Sequence, residues 1–161
     1  MRPPAPPGPV PRPGRRRLAR ALPQAALLAV LATGCVSPAW DDHDYGLKAG
    51  ATAQAAASSV ELVRLAVRDH DRLTTPYLKT VLTEASGDLG SVNDQFGGVQ
   101  PPSDAADRLR TQVTDLTSQA EEEVQGLLIE VRRDGLRDPR GADRRLGELA
   151  GRLREIEEAH R

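Results

Sequence analysis

The sequence predicts an all-α fold, an up-down antiparallel bundle of four helices, with three helices as the alternative. Three observations predict it. From about residue 45 onward, apolar residues recur at spacings of three and four, as they do on one face of a helix. Breaks containing Pro76, Pro101-Pro102 and Pro139 divide this pattern into four segments. The 161 residues include only four aromatic side chains, whereas large β-sheets draw on aromatic and β-branched residues.

The first helix is predicted from about Tyr45 to Leu73. On a helical wheel, its apolar and small side chains cover more than half of the circumference, and Glu and Arg fill the remaining stripe. Because so broad an apolar arc needs more than one neighbour, we expect this helix to be central. The arc consists of Ala55, Ser59, Val60, Leu62, Val63, Leu65, Ala66 and Val67.

The second helix is predicted to begin at Thr75-Pro76, with Thr75 as the cap and proline in the first turn. Gly97-Gly98 and Pro101-Pro102 end it. Its apolar residues alternate at four and three, which is the seam of an antiparallel bundle. That seam is Leu78, Leu82, Ala85, Leu89, Val92, Phe96 and Val99.

The third helix is predicted to start at a Ser103 or Asp104 cap and to end at Gly135. Its apolar seam has one irregular step, which indicates either a register shift or a Glu123 side chain close to the seam. The fourth helix starts at Asp138-Pro139 and ends with His160 on its seam. Since all connections are short, successive helices should pack antiparallel.

The N-terminal segment differs sharply in composition from the helical part. Residues 1–34 contain six Arg, eight of the thirteen Pro and no acidic residue. A mostly apolar run of about a dozen residues, 21–32, follows the basic stretch and is too short to span a membrane. This order is typical of a secretory signal peptide. Arg15-Arg16 leaves the choice between general and twin-arginine export open.

The run Leu31-Ala32-Thr33-Gly34-Cys35 resembles the lipobox of bacterial lipoproteins. The resemblance implies cleavage between Gly34 and Cys35, a diacylglyceryl group on the Cys35 thiol and attachment to the extracytoplasmic face of the cell membrane. The expected organisation is therefore a signal peptide at 1–34, a tether at 35–44 and a helical domain at 45–161. The alternative is ordinary secretory cleavage after a small-x-small site, which would release a soluble protein.

An Asp-His-Asp triplet occurs twice, around His43 and around His70. Imidazole and carboxylate suit zinc or another divalent metal. However, consecutive helical residues point about 100° apart, so both carboxylates of one triplet cannot close on an ion held by its histidine. A metal site at His43 and His70 is therefore the second hypothesis, and a partly buried His70 with one hydrogen bond is the first.

Charge and motif content exclude several functions. Residues 35–161 carry 16 basic and 23 acidic side chains, a net charge of −7, without a basic stripe for nucleic acid. No motif of a hydrolase nucleophile or a phosphate-binding loop is present. Glu123 is the sole candidate for a perturbed acid–base carboxylate, and the sequence offers it no partner. We expect neither enzymatic activity nor a cofactor.

The sequence therefore favours a lipid-anchored, non-enzymatic interaction or envelope accessory module. A helix face would be used by an envelope protein partner or for self-association. The bias of 20 Arg against 2 Lys, with abundant Ala, is typical of a GC-rich bacterial genome such as that of an actinobacterium. The helical part resembles uncharacterised lipoproteins of that group. The alternatives are a metal-binding or metal-sensing lipoprotein and a secreted soluble helical protein.

Overall fold

The computed structural model describes residues 39–161, in which four α-helices and one short 3₁₀ turn account for the regular structure. Helix α1 is Asp42–Arg68, α2 is Thr75–Gly97, α3 is Asp104–Arg133 and α4 is Pro139–Ala159. The 3₁₀ turn, His70–Arg72, connects α1 to α2. No strand occurs within the described residues, and the predicted all-α bundle of four helices is confirmed.

Helix α1 begins earlier and ends earlier than the sequence predicts. The Asp41 carboxylate accepts a hydrogen bond of 2.8 Å from the amide of Asp44, which makes Asp41 the N-cap. An aspartate cap with two acidic residues in the first turn stabilises this end of the helix dipole. The helix therefore includes residues 42–44, which the sequence pattern assigns to the tether, and it ends at Arg68 rather than at Leu73.

The other three helices begin at side-chain caps. Thr74, one residue before the predicted Thr75, accepts from the amide of Tyr77 at 3.4 Å. Ser103, one of the two predicted alternatives, caps α3, and Asp138 caps α4 as expected. After α3, Gly135 has a φ of 97° and its amide donates to the carbonyl of Glu130, which confirms the glycine ending.

Helix α1 packs against each of the other three helices, as the breadth of its apolar arc predicted. Its start lies beside the end of α2, where the rings of Tyr45 and Phe96 are 5.2 Å apart. Its last third lies beside the start of α4, where the Nε of Arg64 donates to Asp143 at 2.7 Å. In both pairs the beginning of one helix lies beside the end of the other, as in an up-down bundle.

The core consists mainly of Ala, Val and Leu, with Tyr45 and Phe96 as its aromatic residues. Small side chains let α1 approach its neighbours closely. A Cβ placed on Gly50 would lie 2.7 Å from the backbone oxygen of His160, so α4 ends directly against the α1 backbone. His160 is half-buried there, in agreement with its expected position on the seam.

The irregular step in α3 is explained by Thr117. This residue is fully buried next to Leu116, and its hydroxyl donates to the carbonyl of Val113 at 2.8 Å. A threonine whose hydroxyl is satisfied by its own helix can occupy an apolar seam at low cost. The seam therefore shifts through a polar residue, while Glu123 stays at the half-buried edge.

Candidate functional site

The predicted signal and lipidation residues, Gly34 and Cys35, lie outside the described residues 39–161. Signal cleavage, the lipid on Cys35 and membrane attachment therefore stay predictions. Among the described helices, none is both long enough and apolar enough to cross a membrane.

The two histidines of the Asp-His-Asp triplets lie at opposite ends of α1. His43 is in its first turn and His70 is in the 3₁₀ turn that follows it. At 1.5 Å per residue, their separation is about 40 Å, so they cannot share an ion. Within residues 39–161, no three His, Cys, Asp or Glu side chains converge as a metal site would require.

His70 has the partly buried environment that the sequence predicted. Its Nδ1 lies 3.0 Å from the carbonyl oxygen of Val67, and its Nε2 lies 3.1 Å from Asp71 Oδ1. Asp69, the other acid of the triplet, is 3.3 Å from Arg72 instead. The two aspartates of this triplet therefore have different partners, Asp71 with His70 and Asp69 with Arg72.

His70 lines an open cavity of about 430 Å³ between the end of α1 and the start of α4. Most of its charged lining is cationic, from Arg68, Arg140 and Arg144, with Asp71 and Asp143 as the acidic residues. Both Arg64 and Arg68 donate to the same Asp143 oxygen, at 2.7 and 2.8 Å. The carboxylate thus joins the two helices, which is a structural use of this cluster.

The pKa of Asp143 is lowered by this arrangement. Burial alone would raise it, but the hydrogen bonds and positive charges of Arg64 and Arg68 outweigh burial. The ion-pair network continues through Glu61, whose Oε1 accepts a hydrogen bond from Arg64 at 3.2 Å and forms an ion pair with Nη2 of Arg154 at 2.8 Å. One side of the α1–α4 contact is therefore held by alternating charges.

Glu123, for which the sequence offered no partner, has one. Its Oε1 accepts two hydrogen bonds from Arg145, from Nε at 2.9 Å and from Nη2 at 2.7 Å. The same contact raises the pKa of Arg145. This carboxylate connects α3 to α4, so its role is structural.

The solvent-facing side of α1 carries an uncharged band that we call the α1 stripe. Its large members, Leu47, Leu62 and Leu65, are 43, 49 and 54% exposed. Between Ala49 and Val60 the helix contains no charged residue on any face. The α1 stripe consists of Leu47, Ala51, Gln54, Ser58, Leu62 and Leu65, all exposed.

A shallow groove of about 170 Å³ adjoins the C-terminal end of the α1 stripe. Leu62 and Leu65 form its α1 side, and the exposed Tyr77 forms its α2 side. Leu73, in the connection between the two helices, and Asp69 also line the groove. The apolar surface thus widens here from one helix onto the next. Exposed apolar patches of this kind mark contact surfaces in many soluble proteins.

Ala55, Leu62 and Leu65 belong to the apolar arc predicted to pack against neighbouring helices, but all three are exposed, so that prediction is wrong for them. The wheel arc was too broad for one bundle, and only part of it is covered by the neighbouring helices. A usable signal was the spacing 47-51-54-58-62-65, which follows one face of the helix and lacks any charge. Trp40, which is 84% exposed before the start of α1, carried no sequence signal of its position.

Comparison of the chain with models of protein families, with curated proteins and with solved structures finds no match.

Proposed function

We propose that the protein is a non-enzymatic interaction module, held at the extracytoplasmic membrane surface by lipid on Cys35, and that the α1 stripe is its binding surface. The observation that carries this proposal is the exposure of Leu47, Leu62 and Leu65 along one uncharged helix face. Covering such a face with a partner helix removes apolar area from water, which is the main favourable term in association.

The contrast with the rest of the surface supports this choice. The exposed positions of α4 include Arg144, Glu148, Arg152 and Glu155, so its outer face carries charge at successive turns. A charged outer face keeps a helix hydrated, whereas the α1 stripe offers a partner no charge to desolvate. The surface is thus suited to contact rather than to hydration.

The proposed anchor follows from the sequence around Cys35. This is the sole cysteine of the chain, it ends the lipobox-like run, and it precedes the Asp41 cap by six residues. Six residues span at most about 20 Å, so a lipid on Cys35 would hold the bundle near the bilayer. Confinement to a thin layer raises the effective concentration of the module toward other membrane components.

Photo-crosslinking in cells tests the binding surface. A photoreactive residue at Leu65 is expected to give a discrete adduct, because this side chain is half exposed within the α1 stripe. Ile129 of α3, which is 50% exposed, is the matched control outside the stripe. Equal or absent adducts at the two positions would contradict the proposal.

The anchor is tested by intact mass and detergent partitioning of the membrane-extracted protein. We expect a diacylglyceryl mass on a chain beginning at Cys35, with partitioning into detergent. The Cys35→Ala variant should lose both the added mass and the partitioning. A protein with an unmodified Cys35 that stays in the aqueous phase would instead be a secreted one.

A further inference from the structure

We propose that the α1 stripe binds the α1 stripe of a second copy of this chain, forming a parallel, in-register pair of α1 helices. This inference rests on the proposed function, since the lipid anchor supplies the parallel orientation. The partner is a second copy of the same chain, and the two-fold axis of the homodimer runs alongside the two helices.

The spacing of the stripe matches a two-helix seam. Positions 47, 51, 54, 58, 62 and 65 are spaced by four, three, four, four and three, which is an 11-residue repeat that keeps successive residues on one face of a helix pair with a slight right-handed supercoil. From Leu47 to Leu65 the seam is about 27 Å long at 1.5 Å per residue. Asp69, four positions after Leu65, is exposed and ends the apolar pattern with a charge.

The stripe is self-complementary. In a two-fold interface built on a parallel pair, each seam residue meets its own counterpart, so a charged residue would meet a like charge. The α1 stripe contains none. The outer faces of α3 and α4 do not meet this condition, because Glu122 and Arg152 are exposed on them.

The two polar residues of the stripe fit the same arrangement. The hydroxyl of Ser58 donates to the carbonyl of Gln54 within α1, at 2.8 Å, so its hydrogen is satisfied before any partner arrives. The Gln54 amide can both donate and accept, and two such side chains can therefore pair with each other. A polar residue within an apolar seam fixes register in coiled coils.

The anchor sets the orientation of the pair. Two copies attached through residues just before Asp41 have the starts of their α1 helices near the same membrane surface, and this favours parallel over antiparallel pairing. With three leucines and two polar residues per helix, the seam is short and weak in dilute solution. Attachment to one membrane raises the effective concentration that such a weak seam needs.

Cysteine crosslinking of the full-length protein in membranes tests this pair. Ala51→Cys and Ser58→Cys each place a thiol on the stripe, and Ser91→Cys places one at an exposed position of α2 as the matched control. A parallel, in-register pair brings equivalent Cα atoms within the range of a disulfide. Mild oxidation should therefore give about ten times more disulfide-linked dimer for either stripe variant than for Ser91→Cys.

Intact mass, measured on the same samples, distinguishes a failure of the proposed homodimer from a failure of the proposed lipid anchor. Diacylated protein without a dimer at Ala51→Cys and Ser58→Cys overturns the homodimer and leaves the anchor standing. A dominant adduct with a different protein also overturns the homodimer, while it supports the interaction module. An unmodified Cys35 contradicts the anchor and, with it, the reason for a parallel pair.

A second pair of variants shows that the crosslinks depend on the apolar seam. In the Ser58→Cys background, Leu65→Arg should reduce the dimer to the level of Ser91→Cys, because it places like charges opposite each other. Ile129→Arg, at a similarly exposed position, should leave the dimer unchanged. Both substitutions are at exposed sites, and circular dichroism confirms that both proteins are folded. Retention of the dimer in Leu65→Arg would overturn the proposed interface.

Discussion

At the scale of single residues, Tyr45 combines full burial with an unsatisfied hydroxyl. The side chain is 0% exposed, its ring contacts Phe96, and its hydroxyl has no hydrogen-bond partner among the described residues. Burying a hydroxyl without a partner costs free energy that a phenylalanine would not lose. The aromatic contact therefore stabilises the start of α1 in spite of the oxygen.

Tyr45→Phe is expected to raise the free energy of unfolding by about 1 kcal/mol in urea denaturation followed by circular dichroism. The exposed Tyr77→Phe is the control and should change it by less than about 0.5 kcal/mol. A lower stability of Tyr45→Phe would contradict the destabilising effect of the buried hydroxyl.

The same residue makes the stability of the fold depend on pH in alkaline solution. Burial raises the pKa of Tyr45 above its ordinary value of 10.0. Because the pKa is raised in the folded state, the contribution of neutral Tyr45 to the free energy of unfolding is fully present below pH 10. It is lost as the pH rises through the folded pKa. Tyr45→Phe should remove this contribution, leaving a smaller decline in stability above pH 10.

Asp143 has the opposite dependence on pH. Its pKa is lowered in the folded state, so its contribution is present above the unfolded value of 3.8 and is lost as pH falls through the folded value. Asp143→Asn should cost about 2 kcal/mol at pH 7, because two charge-assisted hydrogen bonds from Arg64 and Arg68 are weakened. Urea denaturation at pH 7 and pH 3 checks this.

Glu148→Gln, at an exposed position of the same helix, is the control for Asp143→Asn. The difference between Asp143→Asn and the unmodified protein should shrink at pH 3, because below 3.8 the unfolded chain takes up a proton at Asp143 more readily than the folded protein does. A difference that is the same at pH 7 and pH 3 would contradict the ionic role of Asp143.

At the scale of helices, two glycines inside helices should respond in opposite directions to the same substitution. Gly87→Ala in α2 meets nothing within 4 Å and should stabilise the protein by about 1 kcal/mol, the difference in helix propensity. Gly50→Ala should destabilise it, because the new Cβ would meet the backbone of His160 and displace the end of α4. Thermal melts of both variants measure the two signs. Stabilisation by Gly50→Ala would show that α4 does not end against α1.

The sequence was sufficient for the existence, order and capping of the helices. Periodicity, proline and cap residues are local signals, and Ser103, Asp138 and Gly135 have the roles predicted for them. Local signals failed where tertiary contact decides. Whether Leu62 and Leu65 are buried or exposed depends on how much of α1 is covered by α2 and α4, which no local pattern specifies.

The candidate site divides in the same way. The partial burial of His70 followed from its place in the apolar arc. The Arg145 partner of Glu123 was not predictable, because it comes from a helix 22 residues further along the chain. The α1 stripe was visible in the sequence as a pattern, but the same pattern also describes a core.

At the scale of the whole molecule, α4 is needed for the bundle because it covers α1. Its buried residues, Ala142, Leu146, Ala150, Leu153 and Ile156, form an almost continuous row against the other helices. A chain that ends after Arg137 should therefore lose cooperative thermal unfolding, since the remaining core is small and rich in alanine. Circular dichroism melts of the two chains make the comparison.

The control for this truncation is removal of Arg161 alone, which should leave the melt unchanged. A cooperative melt of the chain ending at Arg137 would establish three helices as the stable unit and would contradict a structural requirement for α4.

Trp40 has a practical consequence for all of these measurements. It is the single tryptophan of the chain, and it is already 84% exposed in the folded protein. Unfolding hardly changes its surroundings, so its fluorescence should remain nearly constant through a transition that circular dichroism records in full. The indole fluorescence therefore reports only on the surroundings of Trp40, just before α1. A blue shift of the emission at constant helicity would indicate that a partner contacts this position, not that the folding has changed.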